Sequence, residues 1–460
     1  MKIILFPLAL FFFMSTSAQK NSLVTPKMIN EITEFVKSKS EYYNSPSIAV
    51  AITDENSTIY LKHFGNAEKG DKYLIGSNTK SFTALLTLIL QEKGILNIND
   101  PVNKYLKWFE YKNKNISNKI TIKDLLQHTS GINTAMGRTF IENDDNFDYT
   151  QYYSEILRKL ECNVLPEQPY MYSNVNYRLL GFIIENATGK KYKDCLKDLI
   201  INPMMLTETS ANINPNLIDS YQYFLYYPIL KFNKSFHSQE IPSGLISSTA
   251  NDMSIYLRQL MNSYNNNPNT VLNSQTTKQL FISNKNNNSR YGLGWTINKK
   301  PLIFYHDGVN KSFESNMYIL PSINKSIIVL INSNQAPDAE IIDGVASILL
   351  GQKIYGKSSF AYYRSLPIIV FIFLIFFFFQ FKKWKNLNFP IKLSRKILPN
   401  SFLVLGVTLS IVILILFPKI NGVDLKTVLQ FDPASGYSTI LTALILFLIS
   451  ILGYFNKKQN

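Results

Sequence analysis

Cysteine is nearly absent: Cys162 and Cys195 are the only two in 460 residues. Two thiols make no disulfide framework, and they are read equally well as a pair or as separate half-buried groups. Histidine is scarce as well. His63, His128, His237 and His306 lie far apart, with no HxxxH or CxxC spacing among them, so no metal site is expected, nor any other cofactor. Acidic residues are outnumbered, 32 against 47 Lys and Arg, for a formal net charge of +15. These lysines are scattered among asparagines through the first 350 residues and form no stripe, which argues against a nucleic-acid partner.

Charge is missing altogether from three long runs near the C-terminus. "LPIIVFIFLIFFFFQF" (366–381), "SFLVLGVTLSIVILILFP" (401–418) and "SGYSTILTALILFLISILGYF" (435–455) are each expected to span a membrane, the shortest flanked by Tyr362, Tyr363 and Trp384 as interfacial anchors. The loop "KKWKNLNFPIKLSRK" between the first two carries six basic residues and no acid, which by the positive-inside rule makes it cytoplasmic and leaves the large preceding domain outside. The opening "MKIILFPLALFFFMSTSAQK" gives the same orientation independently. One lysine, about a dozen apolar residues and a small-residue stretch ending at Ala18 read as a secretory signal peptide. The expected division is residues 1–18 signal peptide, 19–355 soluble domain and 356–460 membrane region, with the protein in the cytoplasmic membrane and its domain on the extracytoplasmic side.

The soluble part reads as mixed α and β. In "PSIAVAITDENSTIYLKHFGNA", Ile48, Val50 and Ile52 share one side of a strand, and a polar turn leads to a second strand. Helical periodicity covers 78–93, 121–127, 176–187 and 250–262. "ESNMYILPSINKSIIVLINSN" (314–334) returns to two strands around a turn, and "EIIDGVASILLG" predicts a closing helix. Strands at both ends with helices between them place the terminal segments in one sheet. Asp100-Pro101 reads as an N-cap and N1 pair.

Within "FGNAEKGDKYLIGSNTKSFTALLTLILQEKG", Ser77 precedes Lys80 by three residues, at the start of an apolar helix. Residues i and i+3 share a helix face, so the amine can reach the hydroxyl. A serine hydroxyl becomes a nucleophile only when a base takes its proton, and a lysine is such a base only when burial or nearby cations lower its pKa. The apolar run supplies a wall for that burial. The bare spacing also occurs at Ser17–Lys20 and Ser322–Lys325, so the surroundings must distinguish them.

They do. "GSNTKSFTALLTLILQEKGILNINDPVNKYL" resembles the nucleophile segment of serine β-lactamases and penicillin-binding proteins, especially the class C-like branch. "TIKDLLQHTSGI", "YSNVNYRLLGFIIENATGKKY", "PSGLISSTANDMSIYLRQLM", "YGLGWTI" and "FYHDGVNKSFESNMYILPSINKSIIVLINSN" continue the likeness in order. The resemblance implies an α+β fold, an antiparallel sheet flanked by helices with an all-helical subdomain. It implies an acyl-enzyme on Ser77, activation by Lys80 and proton relay by Tyr172, whose phenolate Lys80 would help stabilise. Asn174 would hold Lys80 and the substrate, His306 and Gly308 would line the cleft, with Gly308 admitting the substrate backbone, and the N–H groups of Ser77 and Val309 would form the oxyanion hole. His306 stands where many relatives carry lysine; Asp307 is expected to raise its pKa and restore some positive charge. Val309, where many relatives have glycine, is expected to narrow the cleft, and His128 to be structural. Expected substrates are D-amino-acid peptides of the cell wall, β-lactams, or small esters and amides. The second reading is a non-hydrolytic penicillin-binding sensor or interaction module.

Overall fold

The computed structural model describes residues 24–354, except 139–146, 163–168, 213–215, 225–226, 232–236, 268–269, 271, 285–288 and 335–337, together with 375, 404, 406–415, 425, 428–429 and 433–455. Ten strands are described: β1 (Ser47–Thr53), β2 (Thr58–Gly65), β3 (Tyr73–Leu74), β4 (Tyr221–Phe224), β5 (Tyr227–Lys231), β6 (Ser247–Ser248), β7 (Thr296–Lys299), β8 (Leu302–Val309), β9 (Glu314–Leu320) and β10 (Lys325–Ile331). Six form one antiparallel sheet in the order β2-β1-β10-β9-β8-β7, while β3 pairs β6 and β4 pairs β5. The first and last strands of the domain are neighbours at the centre of the sheet, as their sequence character predicts.

The central strands are buried on both faces, and their side chains divide by parity. Ile48, Val50 and Ile52 of β1 join Ile327, Val329 and Ile331 of β10 in one core, which the terminal helices Pro26–Tyr42 and Asp338–Leu349 cover. Ala49, Ala51, Ile328 and Leu330 face the opposite, larger core, which also takes residues from the helices Thr79–Glu92, Asn174–Thr188 and Ala250–Tyr264. Each fully buried branched aliphatic contributes about 1.5–3 kcal/mol, so sheet register follows from which residues point where. Helix starts are set by local chemistry: Thr25 accepts from Met28 N ahead of Pro26, Thr121 and Asp124 close a reciprocal capping box, and Thr249 accepts from Asp252 N. At residue 100 the expectation is off by one position. Pro101 is the N-cap of Val102–Tyr105, and the Asp100 carboxylate instead accepts from Asn97 N, Lys104 and Tyr105.

Cys162 and Cys195 are both buried and are not joined by a disulfide, so of the two alternatives left by the sequence the structure has separate thiols. Among the described residues no helix is long and apolar enough to cross a membrane, so three membrane helices find no support in the structure. The signal segment 1–18, the run 366–381 apart from residue 375 and parts of 401–418 lie outside the described residues, and the third run falls on a helix, Pro433–Phe455.

Candidate active site

From Tyr73 to Leu88 every residue is buried except Ser77, which is partly exposed. It occupies a 3-10 turn, Gly76–Asn78, leading into the helix Thr79–Glu92. The helix is capped at Asn78 without a side-chain bond, so Ser77 is not engaged as a cap. The turn is pinned from the sheet: Asn78 Nδ2 donates to Ser315 Oγ (2.8 Å), and Ser315 Oγ donates to Ile75 O (2.7 Å).

Two glycines let strand β8 press against this turn. Gly76 has φ +51, and a Cβ there would lie 2.6 Å from Gly308 C and 2.7 Å from Val309 N. A Cβ on Gly308 would lie 2.1 Å from Ile75 O. Gly308 thus serves the approach of β8 to the nucleophile turn. Beyond Tyr305, where pairing with β7 ends, residues 306–309 have β9 on one side and the turn on the other. The Val309 N–H is thereby brought beside Gly76, the residue before Ser77, and Val309 itself is 47% exposed.

Lys80 is fully buried, against the ordinary placement of a lysine. Its Nζ meets three oxygens: Asn174 Oδ1 at 2.8 Å, Ser243 O at 2.6 Å and Ser77 Oγ at 2.9 Å. The first two can only accept, so two N–H bonds are committed to them. The third position of the nitrogen faces Ser77, and there a neutral amine presents its lone pair to the hydroxyl hydrogen. Burial pulls the Lys80 pKa well below the usual amine range; the Arg178 cation adds to the fall and Asp307 opposes it.

Tyr172 adjoins Ser77, with the Lys80 amine 4.9 Å from its ring centre. Its pKa lies well above the ordinary phenol value, chiefly through burial, which outweighs the lowering by Ser77. Tyr172 thus rests as a phenol, the form that the expected proton relay starts from. Its segment is held by His128, which adopts φ +57, accepts Met171 N at its carbonyl and accepts Ser173 N and the Asn176 amide at Nδ1. His128 positions Tyr172 and Asn174.

His306 is 3% exposed. Its Nδ1–H donates to Asp307 O (2.6 Å), leaving Nε2 to accept from Tyr291 Oη (2.9 Å), a pairing that satisfies the neutral ring. Burial lowers its pKa to about 4, aided by Lys80, while Asp307 pulls the other way and loses. The restored positive charge expected from Asp307 is thus overturned, because burial cannot be read from the neighbouring residue in sequence.

A nucleophile turn carrying a buried amine, a phenol beside the same hydroxyl and a strand edge beside it coincides with a match of residues 32–350 to the family model described as Beta-lactamase. The chain belongs to the beta-lactamase family, whose members are serine hydrolases and penicillin-binding proteins. It is 27% identical over 444 residues to Protein flp of Staphylococcus aureus (strain N315), covering 90% of this chain and 88% of that one. It is 28% identical over 337 residues to Penicillin-binding protein 4* of Bacillus subtilis (strain 168), covering 66% and 72%. Two solved structures share the fold at 22% identity. An octameric penicillin-binding protein homologue from Pyrococcus abyssi has a TM-score of 0.59 over 74% of this chain and 81% of its own, and a D-stereospecific amidohydrolase from Streptomyces sp. has 0.58 over 70% and 99%.

Ser77, Lys80, Tyr172 and Asn174 come together in this member of the family, with Gly308 and Val309 against the same turn; the His306 ring lies 6.3 Å from that of Tyr172 and is bonded to Tyr291. Sequence reasoning missed Ser243, whose backbone carbonyl carries no residue-type signal, and Tyr291, although both lie inside motif blocks already singled out. It also missed Arg178 and Glu240, whose ion pair joins segments 62 residues apart.

Proposed function

We propose that this protein is a membrane-anchored serine hydrolase that forms an acyl-enzyme on Ser77, outside the cytoplasmic membrane. Its substrates are D-amino-acid peptides, β-lactams or small esters and amides. The observation that carries the proposal is the Lys80 amine: fully buried, with two N–H groups committed to carbonyl oxygens and its remaining position turned to Ser77. The neutral amine takes the Ser77 proton as Oγ bonds to the substrate carbonyl carbon. The carbonyl oxygen gathers negative charge opposite the N–H groups of Ser77 and Val309. The bond to the leaving group then breaks, Tyr172 gives that group its O–H proton, and the Lys80 ammonium returns one to Tyr172. Water enters by the reverse sequence and frees Ser77.

Membrane anchoring rests on the uncharged runs 366–381, 401–418 and 435–455 and the basic loop between the first two. The likeness to Protein flp supports a functional unit larger than the hydrolase domain, since it spans 90% of this chain. D-configured substrates are favoured by the Streptomyces fold neighbour, which is described as a D-stereospecific amidohydrolase.

Full-length protein in detergent, incubated with a fluorescent penicillin and with a chromogenic ester, tests this. Covalent labelling and ester turnover are expected, both abolished by Ser77→Ala. Penicillin binding that survives Ser77→Ala without turnover would replace the enzyme by a non-hydrolytic binding module.

A further inference from the structure

One of the three oxygens around Lys80 Nζ has an unusual origin. Ser243 O belongs to a four-residue helix, Ile241–Gly244, preceded by a single 3-10 turn, Ser238–Glu240. Helical segments this short have little internal stability, so an acceptor placed on one must be held from outside. The hold is visible three residues earlier, where Glu240 Oε1 accepts from Arg178 Nη2 at 2.8 Å. Arg178 stands four residues after Asn174 on the helix Asn174–Thr188, one turn along the same face. Both obligate acceptors of the amine are therefore referenced to a single helix, one through a side chain and the other through an ion pair.

The Arg178 side chain is only 7% exposed, and Nη1 donates to Tyr153 Oη at 3.1 Å. Burying a guanidinium is costly unless it is paired and bonded, so packing alone does not account for one here. It lines a cavity of about 490 Å³ together with Phe182, Tyr192, Ile241 and Pro242, behind the short helix and away from Ser77. Lys80 is faced by Asn174, Tyr177 and Arg178 from the helix Asn174–Thr188, by Tyr172 before it, by His128, by Ser243 O, and by His306 and Asp307 from β8. Arg178 in turn is faced by Tyr149 and Tyr153 and by Glu240. Among the charged groups facing Lys80, Arg178 is the cation and Asp307 the anion.

We propose that Arg178 and Glu240 are positioning residues for the amine of Lys80: the pair docks the segment bearing Ser243 O and sets the charge behind the base. The inference rests on Ser77 and Lys80 acting as proposed above. Losing Arg178 removes a cation that favours the neutral amine, and losing Glu240 leaves that cation unbalanced. The two variants therefore act on Lys80 in opposite directions, which a purely structural bridge would not produce.

The test is the pH profile of fluorescent-penicillin acylation in full-length protein, for wild type, Arg178→Met, Arg178→Lys and Glu240→Gln, with a thermal melt of each. The acid limb is expected to move up by about half a pH unit or more in Arg178→Met and down in Glu240→Gln, with Arg178→Lys between Arg178→Met and wild type. Limbs that stay put, or that shift the same way in folded Arg178→Met and Glu240→Gln, overturn the inference. If Arg178→Met does not fold, the direction of the near-isosteric Glu240→Gln decides alone. Absent labelling of wild type would overturn the reading of Ser77, and this inference with it; normal labelling with unmoved limbs would overturn this inference only.

Discussion

The two walls of the cleft are built on opposite plans. On the helix side, Lys80 is sealed from water and each position on its nitrogen is assigned to one oxygen. On the strand side, His306 is neutral, Asp307 is exposed and Val309 is half-exposed, and β8 itself carries no lysine or arginine. Under the proposed mechanism, proton transfer is thus tightly specified while recognition is left open, which favours acyl transfer over a demand for one particular carboxylate. An enzyme built the other way would carry a lysine on the strand and read its substrate's charge directly.

The sharpest break of this contrast is Lys80→Met, which keeps side-chain volume and removes the base. Acylation should fall by about 10²–10⁴-fold, with the melting temperature little changed; a smaller loss would move the base elsewhere, and stopped-flow labelling measures it. Next comes the strand wall. Unfolded, an imidazole titrates near 6.5, whereas folded His306 does so at about 4 and His128 is lowered in the same direction. Between these values the unfolded chain binds protons that the folded protein does not. Stability should be intact above pH 6.5 and drain away as pH falls through 4, with His306 accounting for about 3 kcal/mol, and His306→Asn should flatten that slope in pH-dependent melts. Turnover should not fall from pH 6 to 8 on account of His306, and a decline that His306→Lys abolishes would show an imidazolium at work. The smallest effect belongs to Val309→Gly, expected to change the ratio of rates for bulky and small acyl esters by about a few-fold, because the side chain is already half outside the cleft.

Much of this was legible in the chain. The period-2 pattern of Ile48, Val50 and Ile52 gave both strand and face, and the short spacing of Ser77 and Lys80 allowed the contact that the turn-to-helix junction makes. Asn174 and Tyr172 came from the motif block rather than from any local rule. What stayed hidden depends on distance in sequence. The neutrality of His306 comes from burial contributed by other segments, and the carbonyl of Ser243 is a backbone group that every residue possesses. The ion pair of Arg178 and Glu240 needs two helices to be in place before either residue has meaning.

Where Gly76 meets Gly308, main chain touches main chain with no side chain between. Under the proposed mechanism, the interval between the Ser77 N–H and the Val309 N–H is therefore a property of two stretches of main chain. Mutation can remodel the mouth of the pocket, and with it the choice of acyl group, while that interval stays the same.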